Sequence, residues 1–197
     1  MKTRASLFVL LLLGACGLAG PRHATTTYLL EDQAAPTRIA TAWPGALLLR
    51  PTDAPSFYQS NAMAFSQAPG RRGHYQYALM TEDPAERLNQ LLLQRLRGSG
   101  LFPVVVTLGS GVTGDYQLNS RLLDFYHDAA QVPGKMNLVL DVELVRRGDA
   151  HLLAETRIAT QAPASSSDAR GAAAASNVAV TQALDQITAW LASLPRP

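Results

Sequence analysis

Met136-Asn137-Leu138-Val139-Leu140-Asp141-Val142-Glu143-Leu144 decides the fold. Met136, Leu138, Leu140, Val142 and Leu144 alternate with Asn137, Asp141 and Glu143. A period of two is that of a strand with one face buried and one face wet. Arg147-Gly148-Asp149 turns the chain, and Leu152 to Ala159 returns as the hairpin partner. Upstream, Pro133-Gly134 breaks the chain, and Tyr116 to His127 reads as another strand. There Leu123 and Phe125 flank polar Asp124, while Leu122 disturbs the alternation. Three consecutive strands with short connections predict an antiparallel unit that needs a second layer on its apolar face.

Two helices can supply that layer. Asp83 suits an N-cap and Pro84 the first helical position. Leu88, Leu91, Leu92 and Leu96 then form one apolar face, Arg95 and Arg97 suit the C-terminal dipole, and Gly98 ends the helix. Near the C-terminus, Pro163 to Gly171 opens a helix whose early turns include Ala172 to Ala175. Val180, Leu184, Ile187, Leu191 and Leu194 form its stripe beside Trp190, and Pro195 ends it. Shorter strands are expected at Tyr28-Leu29-Leu30, Ala46 to Arg50, Met63-Ala64-Phe65, Tyr75-Gln76-Tyr77 and Val104 to Leu108. Glu31 to Gly45 and Pro51 to Ser60 read as proline-containing loops.

The N-terminus sets the compartment. Lys2 and Arg4 precede an apolar run, Leu7 to Leu13, and small residues lead to the only cysteine, Cys16. This is the pattern of an export signal. The run is far shorter than the ~20 residues that span a bilayer. Leu13-Gly14-Ala15-Cys16 resembles the lipobox of bacterial lipoproteins. That resemblance implies cleavage between Ala15 and Cys16 and acylation of Cys16. With Gly17 rather than Asp after the cysteine, it also implies sorting to the outer membrane, facing the periplasm. The expected organisation is a signal peptide over 1–15, a lipidated tether over 16–27 and a single α+β domain over 28–197.

Composition narrows the function. Seventeen Lys and Arg face fifteen Asp and Glu, and loss of Lys2 and Arg4 with the signal leaves the mature chain neutral. Neutrality argues against nucleic acid, whose binders carry basic patches. One lipidated cysteine forms no disulfide, so stability comes from packing.

No catalytic or metal constellation assembles from the sequence, and no cofactor is expected. Gly109-Ser110-Gly111-Val112-Thr113-Gly114 matches a dinucleotide-binding spacing. However, Asp115-Tyr116-Gln117-Leu118 after it reads as strand, whereas the phosphate cradle needs a helix there. His23, His74, His127 and His151 show no i, i+3 or i+4 pairing among themselves. Asp124 with His127, and His151 with Glu155, have helical spacings but fall on or beside strands, so all are read as solvated surface. Arg71-Arg72 is read as a solvated turn. Phe57, Tyr58 and Tyr75 are the nominees for partner contact, with core or strand-edge packing as the competing reading.

A resemblance joins these pieces. Tyr28-Leu29-Leu30 follows a lipidated Cys. Leu88 to Phe102, LNQLLLQRLRGSGLF, precedes a valine strand. Asp115-Tyr116-Gln117-Leu118, the strand LVLDVELV and a helix ending Ile187-Thr188-Ala189-Trp190-Leu191 complete the order. In that order they resemble the ABC-type transport auxiliary lipoprotein family, which includes PqiC-type proteins. One departure is Met80, near which the family commonly carries an aromatic. The resemblance implies an α+β domain with a mostly antiparallel sheet and two helices on one face. It also implies a trans-envelope lipid-transport system in which the lipoprotein docks an MCE-domain protein that bridges the periplasm to an inner-membrane transport complex. A homo-oligomeric ring would multiply weak contacts of this kind. Two alternatives stand beside it: an envelope assembly or stress lipoprotein bound to another outer-membrane protein, and a lipid-carrying module. A filled core between sheet and helices would count against the last.

Overall fold

The computed structural model describes residues 24–40 and 42–196. The signal peptide, the Ala15–Cys16 cleavage point, Cys16 itself, most of the tether and His23 lie outside the described residues. Among the described residues eight strands form one sheet: β1 Thr26–Tyr28, β2 Ala46–Leu49, β3 Ala62–Ser66, β4 Gly73–Met80, β5 Val104–Thr107, β6 Tyr116–Asp128, β7 Lys135–Arg146 and β8 His151–Pro163. Helix α1 spans Pro84–Ser99 and α2 spans Ala169–Ser193. The fold is α+β, with both helices against one face of the sheet.

The long ladders, β6–β7 and β7–β8, are antiparallel, as is β3–β4. Four shorter pairs are parallel: β1–β4, β2–β5, β2–β6 and β3–β6. Strand β6 is the spine. One edge carries all of β7, and the other is shared between β2 at its start and β3 at its end. Leu122 disturbed the sequence alternation because the ladder shifts register between Leu122 and Asp124, the mark of a β-bulge. An extra residue there restores Phe125 and His127 to the buried face.

Asp83 caps α1, its carboxylate accepting from the N–H groups of Ala85 and Glu86, and Pro84 opens the helix. All four leucines of the α1 stripe are buried, as are Val180, Leu184, Ile187 and Leu191 of α2. Gly98 does not end α1. It lies within the helix, where a Cβ would stand 2.4 Å from Pro36 Cγ, so its role is to admit the 31–45 loop. The stop is Gly100, in the left-handed conformation at φ 66°. The first strand is Thr26–Tyr28 rather than Tyr28–Leu30. Leu30 owes its apolar character to core burial just past the strand's end.

The Gly109–Gly114 stretch joins parallel β5 to β6 with β2 lying between them, and no helix follows it. On β2, Leu47 and Leu49 enter the helix-covered core, so Leu48 points to the opposite face. Leu48 is nevertheless only 2% exposed, because Gly114 lies over it. The glycine-rich segment is a short crossover pressed onto a side chain, and it works by lacking side chains of its own.

Candidate functional site

The structure separates the three aromatic nominees into two clusters. Phe57 and Tyr58 sit on a short 3₁₀ turn, Ser56–Tyr58, that follows Asp53, which bridges to Arg121 of β6 between the β2 and β3 pairings. Their rings meet edge to face with centroids 5.2 Å apart. Tyr58 is buried and its hydroxyl donates to Asp124 Oδ1 at 3.0 Å. Burial raises its pKa; Arg72 opposes the rise and the Asp124 charge adds to it. Phe57 is half-buried and stacks on His74, with centroids 4.3 Å apart. Arg72 lies over the Tyr126 ring at 3.5 Å and reaches Asp124 at 3.4 Å. The Arg71-Arg72 turn is thus half engaged: Arg72 is bound to the sheet by a cation–π contact and an ion pair. His74 is exposed on β4, and Arg72 is exposed just before that strand. The result is a surface patch of Phe57, His74, Arg72 and Tyr126 beside a buried Tyr58.

Tyr75 belongs elsewhere. It packs on Phe65, and its hydroxyl lies 2.7 Å from His127 Nδ1. His127 Nε2 lies 3.1 Å from the carbonyl oxygen of Pro133. A carbonyl only accepts, so Nε2 carries the proton and Nδ1 accepts from Tyr75. Burial, then the charge of Asp168, pushes Tyr75 up to about 12. His127 is fully buried, which corrects its reading as a surface residue. The signal was present in the sequence: on a strand His127 shares the face of Phe125. Asp124, by contrast, turns to the opposite face and meets Arg72. His151 is exposed at the start of β8.

Sequence reasoning also missed Arg95. It suits a helix end, yet it is 3% exposed and holds two carboxylates, with Nε donating to Asp32 Oδ2 at 2.8 Å and Nη1 donating to Asp185. Burial pulls its pKa down, but the hydrogen bonds to Asp32 and Asp185 outweigh this and leave it raised. One guanidinium therefore ties the 31–45 loop, α1 and α2 together. The distant carboxylates, 63 and 90 residues away, left no local pattern to read.

The void beneath α2, lined by Met63, Met80, Phe125, Met136, Ala172 and Ser176, measures about 10 Å³, room for a single water at most. Met80, the position of the family departure, is one of its walls and is 3% exposed. Among the described residues no group of three His, Cys, Asp or Glu converges as metal ligands. Among them, too, no helix is long and apolar enough to cross a membrane.

Comparison with known proteins decides the family. The sequence model described as ABC-type transport auxiliary lipoprotein component matches residues 28–188. The chain belongs to this family. Its members are lipoprotein components of transport systems, and this chain contributes an α+β domain to that group. No curated protein matches the sequence. Among solved structures, the chain is similar to the XCC0632 protein of Xanthomonas campestris, of the DUF330 family. That likeness has a TM-score of 0.77 and 22% identity and covers 84% of this chain and 94% of the other. An uncharacterized protein gives a TM-score of 0.64 at 13% identity, covering 84% and 99%. At these identities the structural likeness establishes the fold alone.

Proposed function

We propose that the chain is an outer-membrane lipoprotein, anchored through Cys16 and facing the periplasm, that docks the MCE-domain bridging protein of a trans-envelope lipid-transport system and turns over no substrate itself. The family match over residues 28–188 carries this reading. Two structural facts support docking over lipid carriage. The void of about 10 Å³ holds no acyl chain, and the polar groups near the aromatics are held in structural bonds rather than aimed at a common point. The Phe57, His74, Arg72 and Tyr126 patch is the docking surface of choice, since aromatics and Arg dominate interface energetics. Tyr58 supports that region from beneath, while Tyr75 belongs to the separate Phe65–His127 cluster. Several copies in a ring would strengthen an individually weak contact.

The experiment is a pull-down of lipid-free mature protein, residues 16–197 with Cys16→Ser, against the MCE-domain protein of the same cell. Binding at tens of micromolar that Phe57→Ala and Arg72→Ala weaken is the expected outcome. Folded protein without binding would remove the transport reading and favour an envelope assembly lipoprotein. Palmitate labelling tests the anchor separately: wild type should incorporate label and Cys16→Ser should not.

A further inference from the structure

The turn between β6 and β7, Ala129-Ala130-Gln131-Val132-Pro133-Gly134, has no charged residue. Val132 at its tip is 84% exposed, far more than any other large hydrophobic side chain among the described residues. The turn is held firmly at its base. His127 Nε2 donates to the Pro133 carbonyl, the Ala164 N–H to the Gly134 carbonyl at 3.0 Å, and the Ala129 N–H to the Ser66 carbonyl at 2.7 Å. A Cβ on Gly134 would stand 2.5 Å from His127 Nε2, so the histidine and the turn are fitted to each other. Tyr75 in turn fixes His127. A buried network thus presents one apolar side chain to the outside, flanked by Lys135 and, on the neighbouring turn, exposed Arg71.

The sheet register shows where this tip lies relative to the N-terminal tether. Thr26 pairs with Ala78, the adjacent Leu79 pairs with Ala62, and Phe65, three residues on, pairs with His127. β1 is parallel to β4, which starts at the His127 end, so the chain reaches Thr26 from that end. The opposite end of the sheet is marked by Tyr116, eleven residues from His127 along β6, or about 36 Å at the rise of a strand. The Gly109–Gly114 crossover lies at that far end, where the Asp115 N–H donates to Ala46. Ala24 is eight residue steps from Cys16, a span of at most about 28 Å. Acyl chains on Cys16 would let the β6–β7 turn reach the bilayer with slack to spare. Seating the far end would stretch the tether to its limit.

We propose that the 129–134 turn is the membrane-facing tip of the domain, with Val132 seated in the headgroup region of the bilayer that holds the lipid on Cys16. This rests on the lipoprotein reading above and adds an orientation: the β5–β6 crossover and the β7–β8 turn face away from the membrane. An uncharged turn with one apolar anchor suits the interface, where a protruding side chain adds apolar burial to an existing lipid anchor.

Cysteine labelling tests it, because Cys16 is the only native cysteine and, on the lipoprotein reading, its thiol is blocked by the acyl chain. Val132→Cys and Val112→Cys are each labelled with an environment-sensitive nitrobenzoxadiazole on the full lipidated protein in phosphatidylethanolamine/phosphatidylglycerol vesicles. A lipid-borne quencher should quench position 132 several-fold more than position 112, with a blue-shifted emission at 132 only. Equal quenching at both positions, stronger quenching at 112, or a water-like signal at both while the protein floats with the vesicles would each overturn the orientation. If wild-type protein incorporates no palmitate and does not float, the anchor reading fails, and the orientation falls with it.

Discussion

The indole N–H of Trp43 donates to the carbonyl oxygen of Leu191 at 3.1 Å, joining the loop after β1 to the last turn of α2 across 148 residues. Trp43 is 2% exposed, stacks on Phe102 at 5.6 Å and meets Tyr116 edge-on at 5.1 Å. It therefore closes the core from a segment with no secondary structure. Trp43→Ala should cost about 3–5 kcal/mol. Trp43→Phe should cost less, keeping most of the packing but leaving a carbonyl near a helix end without its donor. Urea denaturation midpoints check both.

Gly114 and Leu48 should behave as a coupled pair. Gly114→Ala places a Cβ 2.5 Å from Leu48 Cγ. The expected cost is about 1–3 kcal/mol of overpacking. Leu48→Ala opens space beneath the crossover, so Gly114→Ala should cost less in that background. A double-mutant cycle that proves additive would show that the crossover does not press on Leu48.

Removal of Arg95 should be far worse than removal of Asp185. Arg95→Ala leaves Asp32, 13% exposed, without its cation, and breaking a buried pair costs about 3–5 kcal/mol. Asp185 is 57% exposed, so Asp185→Asn should cost under ~1 kcal/mol. Thermal unfolding of the two variants side by side gives the contrast.

Tyr75 gives the domain an alkaline dependence of known sign. Its hydroxyl is pushed up to about 12 in the fold from an ordinary value of 10.0. The unfolded chain therefore loses its proton first. The contribution is fully present below pH 10 and disappears as pH rises toward 12. Denaturant midpoints measured at pH 9 and pH 11 should fall less in Tyr75→Phe than in wild type.

Helix α1 and strand β7 were legible from local pattern because their determinants lie within a few residues. A cap, a proline and four leucines at helical spacing define the one, and strict alternation defines the other. His127 was half legible. The strand period places it beside Phe125 on the buried face, but its two partners, Tyr75 and Pro133, are brought there by β4 and by the β6–β7 turn. Gly98 was misread because a glycine late in a helix looks like a stop, and only the approach of Pro36 explains why a glycine stands inside one. The aromatic nominees were chosen by residue type, which cannot tell that Phe57 meets His74 while Tyr75 turns to the other cluster.

By itself the sequence determined the elements: which segments are strands or helices, and which face of each is apolar. These follow from periodicities and spacings along the chain. Tertiary structure alone decided how β6 shares its edge between β2 and β3, why the glycine-rich crossover lies over Leu48, and that Arg95 binds two carboxylates from distant segments. It also decided which sheet end stands nearest the tether. Each of these depends on sheet register and on contacts between segments tens of residues apart. Burial and pairing at such distances depend on the whole packed core, and they leave no periodic trace in the local sequence.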